Sequence, residues 1–313
     1  MGSRVTIIGG GGLVGSCAAF SIQNSGVASE IVLLDVNREL AEGQALDMLH
    51  SAPLLADQVI RAGDYSDISQ SDIVCITAGL RRKPDETRTA LINRNAELFV
   101  SILDQIQSVG LKSDAIVFVV SNPVDLLTRL AAQRLGLPAN QVIGLGTQLD
   151  TIRFRSLIAS TLQVSPSQLS ALILGEHGET MVPIWSAATL GGLPLDKHAQ
   201  WNPASANMLF ERTRKSGAEV ISKKGGAGFA VGVAISDVVD SVLLDSRRLL
   251  PVSSVQQGKC WGVRDVAISV PTVVGRCGVV DCQPFELWPK EENGIRASAS
   301  ALAQNWQLIQ SYA

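Results

Sequence analysis

The chain has 313 residues, which is enough for about two domains of ~150 residues, each able to bury a hydrophobic core. Hydrophobic residues make up 46% of the sequence and charged residues 18%, which excludes a disordered chain. The net charge of −3 argues against a nucleic-acid partner, and no apolar run approaches the ~18–20 residues that cross a membrane. The five cysteines follow no paired spacing and no signal-peptide pattern is present, so we expect a soluble cytoplasmic protein with reduced thiols.

The first half of the chain alternates short apolar runs with helical patterns. Each run is almost continuously apolar, as expected for a parallel strand that is buried on both faces. Apolar residues that recur every three or four positions from Ile92 to Ile106 predict a helix. Strands that alternate with helices predict a doubly wound parallel sheet of the Rossmann type, which binds its ligand at the carboxyl ends of the strands. The predicted strands cover residues 5–8, 31–34, 73–76 and 115–120.

A glycine-rich turn follows the first predicted strand and precedes a helical pattern. Two registers fit, because GxGxxG and GxxGxxG both end at Gly15. A backbone without side chains can approach a pyrophosphate, and the N–H groups at the start of a helix favour an anion. The sequence therefore predicts a dinucleotide site. Its predicted contacts are Gly9, Gly10, Gly12, Leu13, Val14 and Gly15.

An acidic residue stands at the end of the second predicted strand. Asp35 follows Gly15 by 20 residues, and a carboxylate there can accept hydrogen bonds from the adenosine ribose. The same carboxylate would repel a 2′-phosphate, so the sequence favours NAD over NADP. The alternative is a flexible glycine turn with an unrelated, solvated aspartate.

A densely charged segment follows the predicted strand 73–76. It runs from Arg81 to Arg88 and contains charges of both signs. The pattern fits a solvated loop, and it fits equally a mobile lid that delivers arginines to an anionic substrate.

Three further sites carry polar residues that could perform chemistry. Asn122 ends the strand 115–120 and could hydrogen-bond a ribose or a substrate, or cap the next helix. Asp150 and Arg153 share a face of a helix, either as a local ion pair or as a histidine partner and a carboxylate-binding arginine. His177 stands at a strand end between two glycines, where an imidazole suits proton exchange near neutral pH. A structural histidine is the alternative.

The pattern changes after residue 144. Apolar positions from Val231 to Val242 predict one helix, and those from Ile295 to Ile309 predict a terminal helix. Residues 248–285 read as short strands separated by glycine and proline, which is typical of antiparallel sheet. We therefore expect an NAD-binding Rossmann domain over residues 1–144 and an α+β substrate domain over residues 145–313.

In their order along the chain, these motifs resemble those of the lactate/malate dehydrogenase family over essentially the whole sequence. The resemblance implies an NAD-dependent dehydrogenase of 2-hydroxy acids that needs no metal and forms a homotetramer or a dimer. The matching stretches are Gly9–Gly15, Leu33-Leu34-Asp35, Thr77-Ala78-Gly79, the charged segment through Arg88, Ser121-Asn122-Pro123, Leu149–Arg155 and Gly175-Glu176-His177-Gly178.

The resemblance also implies a role for each polar candidate. His177 is the implied general acid/base, Asp150 its orienting carboxylate and Arg153 the partner of the substrate's C1 carboxylate. Arg88, delivered by the lid, is implied to polarise the reacting carbonyl, and Asn122 to hydrogen-bond the substrate oxygen. Implied cofactor contacts are Thr77, Ala78, Gly79, Asn95 and Asn122.

One lid position largely separates the malate enzymes of this family from the lactate enzymes. Arg82 stands there, and the resemblance implies that it pairs with the second carboxylate of a dicarboxylate substrate. Ala227 and Met181 also agree with malate. Other positions point away from malate, namely Arg81, Glu86, Glu176 and Trp185-Ser186.

The charge of Arg82 decides the expectation. An unpaired arginine that faces the methyl group of pyruvate would be costly, so we expect (S)-malate and oxaloacetate as the substrates. L-lactate dehydrogenase, or another 2-hydroxy acid dehydrogenase, is the alternative. A non-catalytic NAD-binding protein of the same fold is a remote third possibility.

Overall fold

The computed structural model describes residues 2–80 and 85–313. Arg81 and Arg82 of the predicted lid lie outside the described residues, as does the side chain of Arg88. The strands are β1 (Arg4–Ile8), β2 (Glu30–Leu34), β3 (Val59–Ala62), β4 (Ile73–Ile76), β5 (Ile116–Val119), β6 (Val142–Gly144), β7 (Leu169–Leu174), β8 (Val182–Leu190), β9 (Leu193–Pro194), β10 (Arg248–Gln257), β11 (Arg264–Gly275) and β12 (Gly278–Cys282). The helices are α1 (Leu13–Ser25), α2 (Arg38–Ser51), α3 (Arg88–Val109), α4 (Val124–Arg134), α5 (Gln148–Leu162), α6 (Ser205–Lys224), α7 (Phe229–Leu243) and α8 (Pro289–Trp306).

Nine strands of the described chain form one mixed sheet in the order β12-β11-β10-β6-β5-β4-β1-β2-β3. The strands from β6 to β3 are parallel, in the doubly wound order. β10 joins β6 antiparallel, with Ser253 opposite Gly144, and β11 and β12 continue antiparallel. A separate antiparallel sheet has the order β7-β8-β9. The predicted fold class, a Rossmann sheet with antiparallel sheet in the second half, is confirmed.

Hydrophobic cores lie on both faces of the large sheet, because successive side chains of a strand point to opposite faces. Val5 and Ile7 of β1 pack on one face with α1, α2 and α7. Ile8 packs on the other face with α3, α4 and α8. A further cluster around Phe154 joins α5 and α6 to β7 and β8. The hydrophobic contacts therefore hold one layer of helices against each face of the large sheet.

The carboxyl ends of the parallel strands meet at one edge of the sheet. The N–H of Gly9 donates to the carbonyl oxygen of Leu34 at 2.8 Å, and the N–H of Thr77 donates to that of Ile8 at 2.9 Å. The N–H of Ser121 donates to the carbonyl oxygen of Ile76 at 3.1 Å. These hydrogen bonds bring the loops after β1, β4 and β5 together at the edge where the sequence predicts a ligand.

Within residues 2–80 and 85–313 no helix is both long enough and apolar enough to cross a membrane. No cluster of three or more His, Cys, Asp or Glu side chains in residues 2–80 and 85–313 is arranged to hold a metal ion. The five cysteines are free thiols.

Candidate active site

The glycine turn between β1 and α1 has no room for a side chain at Gly9 or at Gly15. Gly9 has φ +86°, a left-handed conformation that favours glycine. A Cβ on Gly9 would lie 2.7 Å from the amide nitrogen of Ala78, and a Cβ on Gly15 would lie 2.2 Å from the carbonyl oxygen of Gly9. Gly12 has no side chain to cap α1, so the helix presents its first N–H groups at the turn. The turn is therefore shaped to receive an anionic group closely.

The two glycine registers are not exclusive. A Cβ on Gly10 would lie 2.8 Å from the Cβ of Leu33, so Gly10 is as constrained as the glycines of the other register. A Cβ on Gly12, which both registers share, would meet only the carbonyl oxygen of Gly9, at 3.3 Å. Leu13 and Val14 are the first residues of α1. Close packing thus favours glycine at Gly9 and at Gly10, the positions that distinguish the two registers.

Asp35 follows β2, and its carboxylate lies beside the glycine turn. Its Oδ2 accepts a hydrogen bond from the N–H of Gly11 at 3.0 Å, and its Oδ1 accepts one from Asn37 at 3.0 Å. A Cβ on Gly11 would lie 3.1 Å from the carboxylate carbon. The carboxylate is therefore held next to the turn, within reach of the ribose of a dinucleotide on that turn.

The loop Thr77-Ala78-Gly79 after β4 packs against the glycine turn. The Thr77 hydroxyl donates to the carbonyl oxygen of Ile8 at 3.0 Å. Asn95 on α3 is only 6% exposed, and its Oδ1 accepts a hydrogen bond from the N–H of Leu80 at 2.8 Å. Asn95 therefore fixes the backbone of the loop that leads into residues 81–84.

Asn122 lies in the loop after β5, and its peptide bond to Pro123 is cis. The side chain is exposed, and its Oδ1 accepts a hydrogen bond from the N–H of Val124, the first residue of α4, at 3.3 Å. The hydroxyl of the preceding Ser121 donates to the carbonyl oxygen of Ala78 at 2.5 Å. Asn122 thus stands at the same sheet edge as the glycine turn.

His177 lies in the loop after β7, which other elements hold in place. Gly175 and Ser269 of β11 exchange two backbone hydrogen bonds, at 3.0 and 3.1 Å. The N–H of His177 donates to Oδ2 of Asp125, on α4, at 2.8 Å. The loop that carries His177 is therefore held by both β11 and α4.

One carboxylate links the polar side chains that the sequence singled out. Asp150 lies in the first turn of α5, and its Oδ2 is 2.5 Å from Nδ1 of His177. Its Oδ1 accepts a hydrogen bond from Nη1 of Arg153 at 3.2 Å. Asp150 is 1% exposed, whereas the side chains of His177 and Arg153 keep 22% and 15% of their surface exposed. Asp150 therefore contacts Arg153 on its own helix and also the ring of His177, which lies on a different element.

The charges of this cluster favour a protonated His177 and an ionised Asp150. Burial alone would lower the pKa of His177, but the Asp150 carboxylate, its hydrogen bond and the Asp125 charge raise that pKa above its ordinary value. Burial alone would raise the pKa of Asp150, but the charges and hydrogen bonds of His177 and Arg153 lower that pKa below its ordinary value. The cluster therefore favours a proton on a ring that is partly open to a ligand.

The described end of the predicted lid is anchored on α3. The Glu86 carboxylate is 2.5 Å from Nη1 of Arg94, and the Glu86 side chain is only 7% exposed. Thr87 caps α3 by accepting a hydrogen bond from Ala90 at 3.1 Å. Arg82 and the side chain of Arg88 lie outside the described residues.

Sequence reasoning missed the residues that hold the His177 loop. Asp125 was not among the predicted site residues. Ser269 on β11 pairs with the loop backbone, and Ser298 on α8 accepts a hydrogen bond from the N–H of Glu176 at 2.7 Å. These residues lie far from the loop in sequence, so no local pattern marks them. An acid in the first turn of a helix was the sole sequence signal, and it indicates helix stability equally well.

Family models match nearly the whole chain. The model described as lactate/malate dehydrogenase, NAD binding domain, covers residues 3–144, and the model described as lactate/malate dehydrogenase, alpha/beta C-terminal domain, covers residues 147–312. The chain belongs to the lactate/malate dehydrogenase family. The predicted cofactor, NAD, is confirmed, and the chain is an NAD-dependent 2-hydroxy acid dehydrogenase, as members of the family are.

Curated relatives and solved structures refine this assignment. L-lactate dehydrogenase 1 of Clostridium acetobutylicum is 37% identical over 312 residues, which is 98% of each chain. The minor L-lactate dehydrogenase of Enterococcus mundtii, solved with ligands bound, superposes with a TM-score of 0.94 at 34% identity and 98% coverage of both chains. The malate dehydrogenase of Salinibacter ruber superposes with a TM-score of 0.90 at 34% identity and 98% coverage of both chains.

The expectation of malate and oxaloacetate as substrates is wrong. Curated relatives at 37–39% identity over 94–98% of this chain are named L-lactate dehydrogenase. The malate expectation was decided by the charge of Arg82, which lies outside the described residues, with Ala227 and Met181 in agreement. Met181, which had agreed with malate, is 8% exposed and packs in the core cluster around Phe154.

Proposed function

We propose that the chain is an L-lactate dehydrogenase that interconverts pyruvate and L-lactate with NAD. The observation that carries the proposal is the buried carboxylate of Asp150, which contacts both His177 and Arg153. A proton donor and a cation held by one residue suit a substrate whose carboxylate adjoins the reacting carbonyl. The names of the curated relatives support a monocarboxylate substrate.

Arg153 is the proposed partner of the substrate carboxylate. A guanidinium can bind a carboxylate with two parallel hydrogen bonds, which fixes orientation as well as position. Asp150 holds one edge of the guanidinium through Nη1. On α6, Gly217 has no side chain, and a Cβ there would lie 3.5 Å from the same nitrogen. α6 therefore leaves space beside Arg153 in which a small carboxylate can bind.

His177 is the proposed general acid/base. Because Nδ1 faces Asp150, Nε2 is the nitrogen that can face the substrate oxygen. In the direction of pyruvate reduction, the imidazolium donates its Nε2 proton to that oxygen, and in lactate oxidation the neutral ring takes the proton back. Asp150 stabilises the imidazolium and fixes the ring, and it stays ionised throughout.

The loops at the sheet edge fit NAD. The glycine turn excludes side chains where a pyrophosphate would lie, and Asp35 is held beside it for the ribose. When bound, the nicotinamide supplies the hydride in reduction and accepts it in oxidation. We assign Asn122 and Arg88 to the substrate oxygen, the former from the exposed loop after β5 and the latter from the start of α3.

The two halves of the chain have different proposed roles. We infer that residues 1–144 bind the cofactor and that residues 145–313 supply Asp150, Arg153 and His177. The Thr77-Ala78-Gly79 loop and Asn95 contribute by shaping the edge at which the cofactor binds.

We also infer that the chain forms a homo-oligomer, a tetramer or a dimer. Leu46 and Leu49 on α2 are 53% and 44% exposed, and their spacing of three residues places them on the same face of the helix. Adjacent exposed apolar side chains of this kind are a feature of protein interfaces. Light scattering should give a multiple of 33.1 kDa for the native chain and a smaller mass for Leu46→Glu. A monomeric native chain would contradict this inference.

The substrate assignment is tested by NADH oxidation with pyruvate and oxaloacetate side by side. We expect kcat/KM for pyruvate to exceed that for oxaloacetate by at least about tenfold. The second carboxylate of oxaloacetate would cost on the order of 1.4 kcal/mol or more in a closed site that is shaped for a monocarboxylate. A preference for oxaloacetate would overturn the lactate assignment and leave the family membership unchanged.

A further inference from the structure

A second carboxylate lies beneath His177, on a different element from Asp150. Asp125 is the second residue of α4 and is 3% exposed. Its Oδ2 accepts the hydrogen bond from the backbone N–H of His177 at 2.8 Å. The two residues are 52 positions apart in sequence, so the contact joins the end of the parallel sheet to the loop after β7.

The charged groups around the imidazole come from three elements. Asp150 and Arg153 face it from α5, Asp125 faces it from α4, and Glu176 precedes it in the same loop. Asp125 and Asp150 both favour the protonated ring, whereas Arg153 opposes it. Arg153 already pairs with Asp150. The Asp125 carboxylate therefore adds a second attraction for the protonated ring of His177, and Arg153 does not pair with that carboxylate.

Burial destabilises the ionised form of the Asp125 carboxyl group. It raises the pKa of Asp125 to about 6, although the nearby Ser253 hydroxyl and His177 act in the opposite direction. Because this value lies above the ordinary 3.8, the stability that Asp125 contributes is present at low pH and is lost as the pH rises through about 6. At neutral pH the fold therefore carries a destabilising negative charge next to the proposed acid.

We propose that Asp125 is a positioning residue for His177, which it holds by the backbone and whose protonated state it favours through its charge. The proposal rests on the proposed role of His177 as proton donor. A purely structural side chain at this place would need the hydrogen bond but not the charge, and asparagine would supply it equally well.

The test separates the charge from the hydrogen bond. Asp125→Asn keeps an acceptor and removes the charge, whereas Asp125→Ala removes both. Thr128→Val is the matched control, since Thr128 is buried on the same helix and its hydroxyl donates to Val124 rather than to the site. For each variant, kcat/KM for pyruvate is measured from pH 6 to 9, together with the thermal midpoint at pH 7.5.

We expect Asp125→Asn to stay within about threefold of the wild type at pH 6.5 and to lose at least threefold more activity than the wild type by pH 8.5. Its thermal midpoint at pH 7.5 should equal or exceed that of the wild type. Asp125→Ala should lose at least tenfold at every pH, and Thr128→Val should follow the wild type. A wild-type pH profile in Asp125→Asn would overturn the role of the charge, and wild-type activity in Asp125→Ala would overturn the positioning.

A measurement that does not depend on activity tests the coupling between Asp125 and His177 even if the variant does not fold or the proposed function is wrong. NMR of ¹³C-labelled histidine follows the ring of His177 among the three histidines of the chain. In the wild type we expect a second inflection near pH 6 from Asp125, and in Asp125→Asn a titration displaced to lower pH. A one-step wild-type titration would overturn the inference even if Asp125→Asn does not fold. If the wild type does not reduce pyruvate, the proposed function fails, while the NMR titration still decides the coupling.

Discussion

Replacing Asp150 with asparagine removes the charge that His177 and Arg153 share. Asparagine has nearly the same shape, so the variant keeps the packing of α5 and loses the electrostatic contact. The imidazolium would then face the Arg153 guanidinium without the carboxylate that lies 2.5 Å from its Nδ1. The amide can also hold the ring in the wrong tautomer, with Nδ1 as acceptor.

The size of the effect follows from burial. The Asp150 side chain is 2% exposed, so solvent does not screen its charge. Removing one partner of a buried, hydrogen-bonded ion pair costs about 3–5 kcal/mol. Because the His177 side chain is 22% exposed, the lower part of that range applies. At about 1.4 kcal/mol per factor of ten, kcat/KM for pyruvate should fall about 10²- to 10³-fold.

The assay is steady-state NADH oxidation with pyruvate at pH 7, accompanied by NADH binding measured from fluorescence. Asp104→Asn is the control, because Asp104 pairs with Arg134 at 2.8 Å on the surface with 49% of its side chain exposed. The control should change kcat/KM by less than about twofold. A folded Asp150→Asn protein that loses less than about fivefold would refute the reasoning.

Three other substitutions test the remaining contacts. Arg153→Lys should raise KM for pyruvate at least about tenfold, because an ammonium cannot form the paired hydrogen bonds of the guanidinium; an unchanged KM would exclude Arg153 as the carboxylate partner. Gly15→Ala places a Cβ 2.2 Å from the Gly9 carbonyl oxygen, so calorimetry should show a weaker Kd for NADH and stability should drop by about 1–3 kcal/mol. Wild-type affinity in that variant would mean that the turn relaxes freely. Asp35→Ser should reduce the NADH/NADPH ratio of kcat/KM at least about tenfold, and a constant ratio would place the ribose elsewhere.

The parallel half of the fold was predictable because its strands are buried on both faces. Apolar runs located β1, β2, β4 and β5, and the observed β4 has the predicted bounds Ile73–Ile76. β3 and β6 were missed, since β3 is an edge strand that contains Arg61 and β6 has three residues. The joining of β10 to β6 was also unforeseen, because strand pairing between distant segments leaves no local pattern.

The candidate site was predictable where a residue type limits the chemistry. Three histidines left few candidates for a proton donor, and the glycine turn required a backbone ligand. Substrate choice was not predictable, because it was inferred from the charge of Arg82 without knowledge of where that side chain points. Asp125 escaped notice because its partner is the backbone of His177, and backbone contacts across 52 residues depend on the packing of α4 against the sheet.

The most direct test compares pyruvate reduction by the wild type and by His177→Asn at pH 7, with NADH affinity measured in parallel. We expect turnover by the wild type, a loss of about 10³-fold in kcat/KM for the variant, and NADH affinities within about twofold of each other. A wild-type protein that binds NADH without reducing pyruvate, or a variant that keeps most of the activity, would contradict the assignment of the cluster around His177 as the active site of a lactate dehydrogenase.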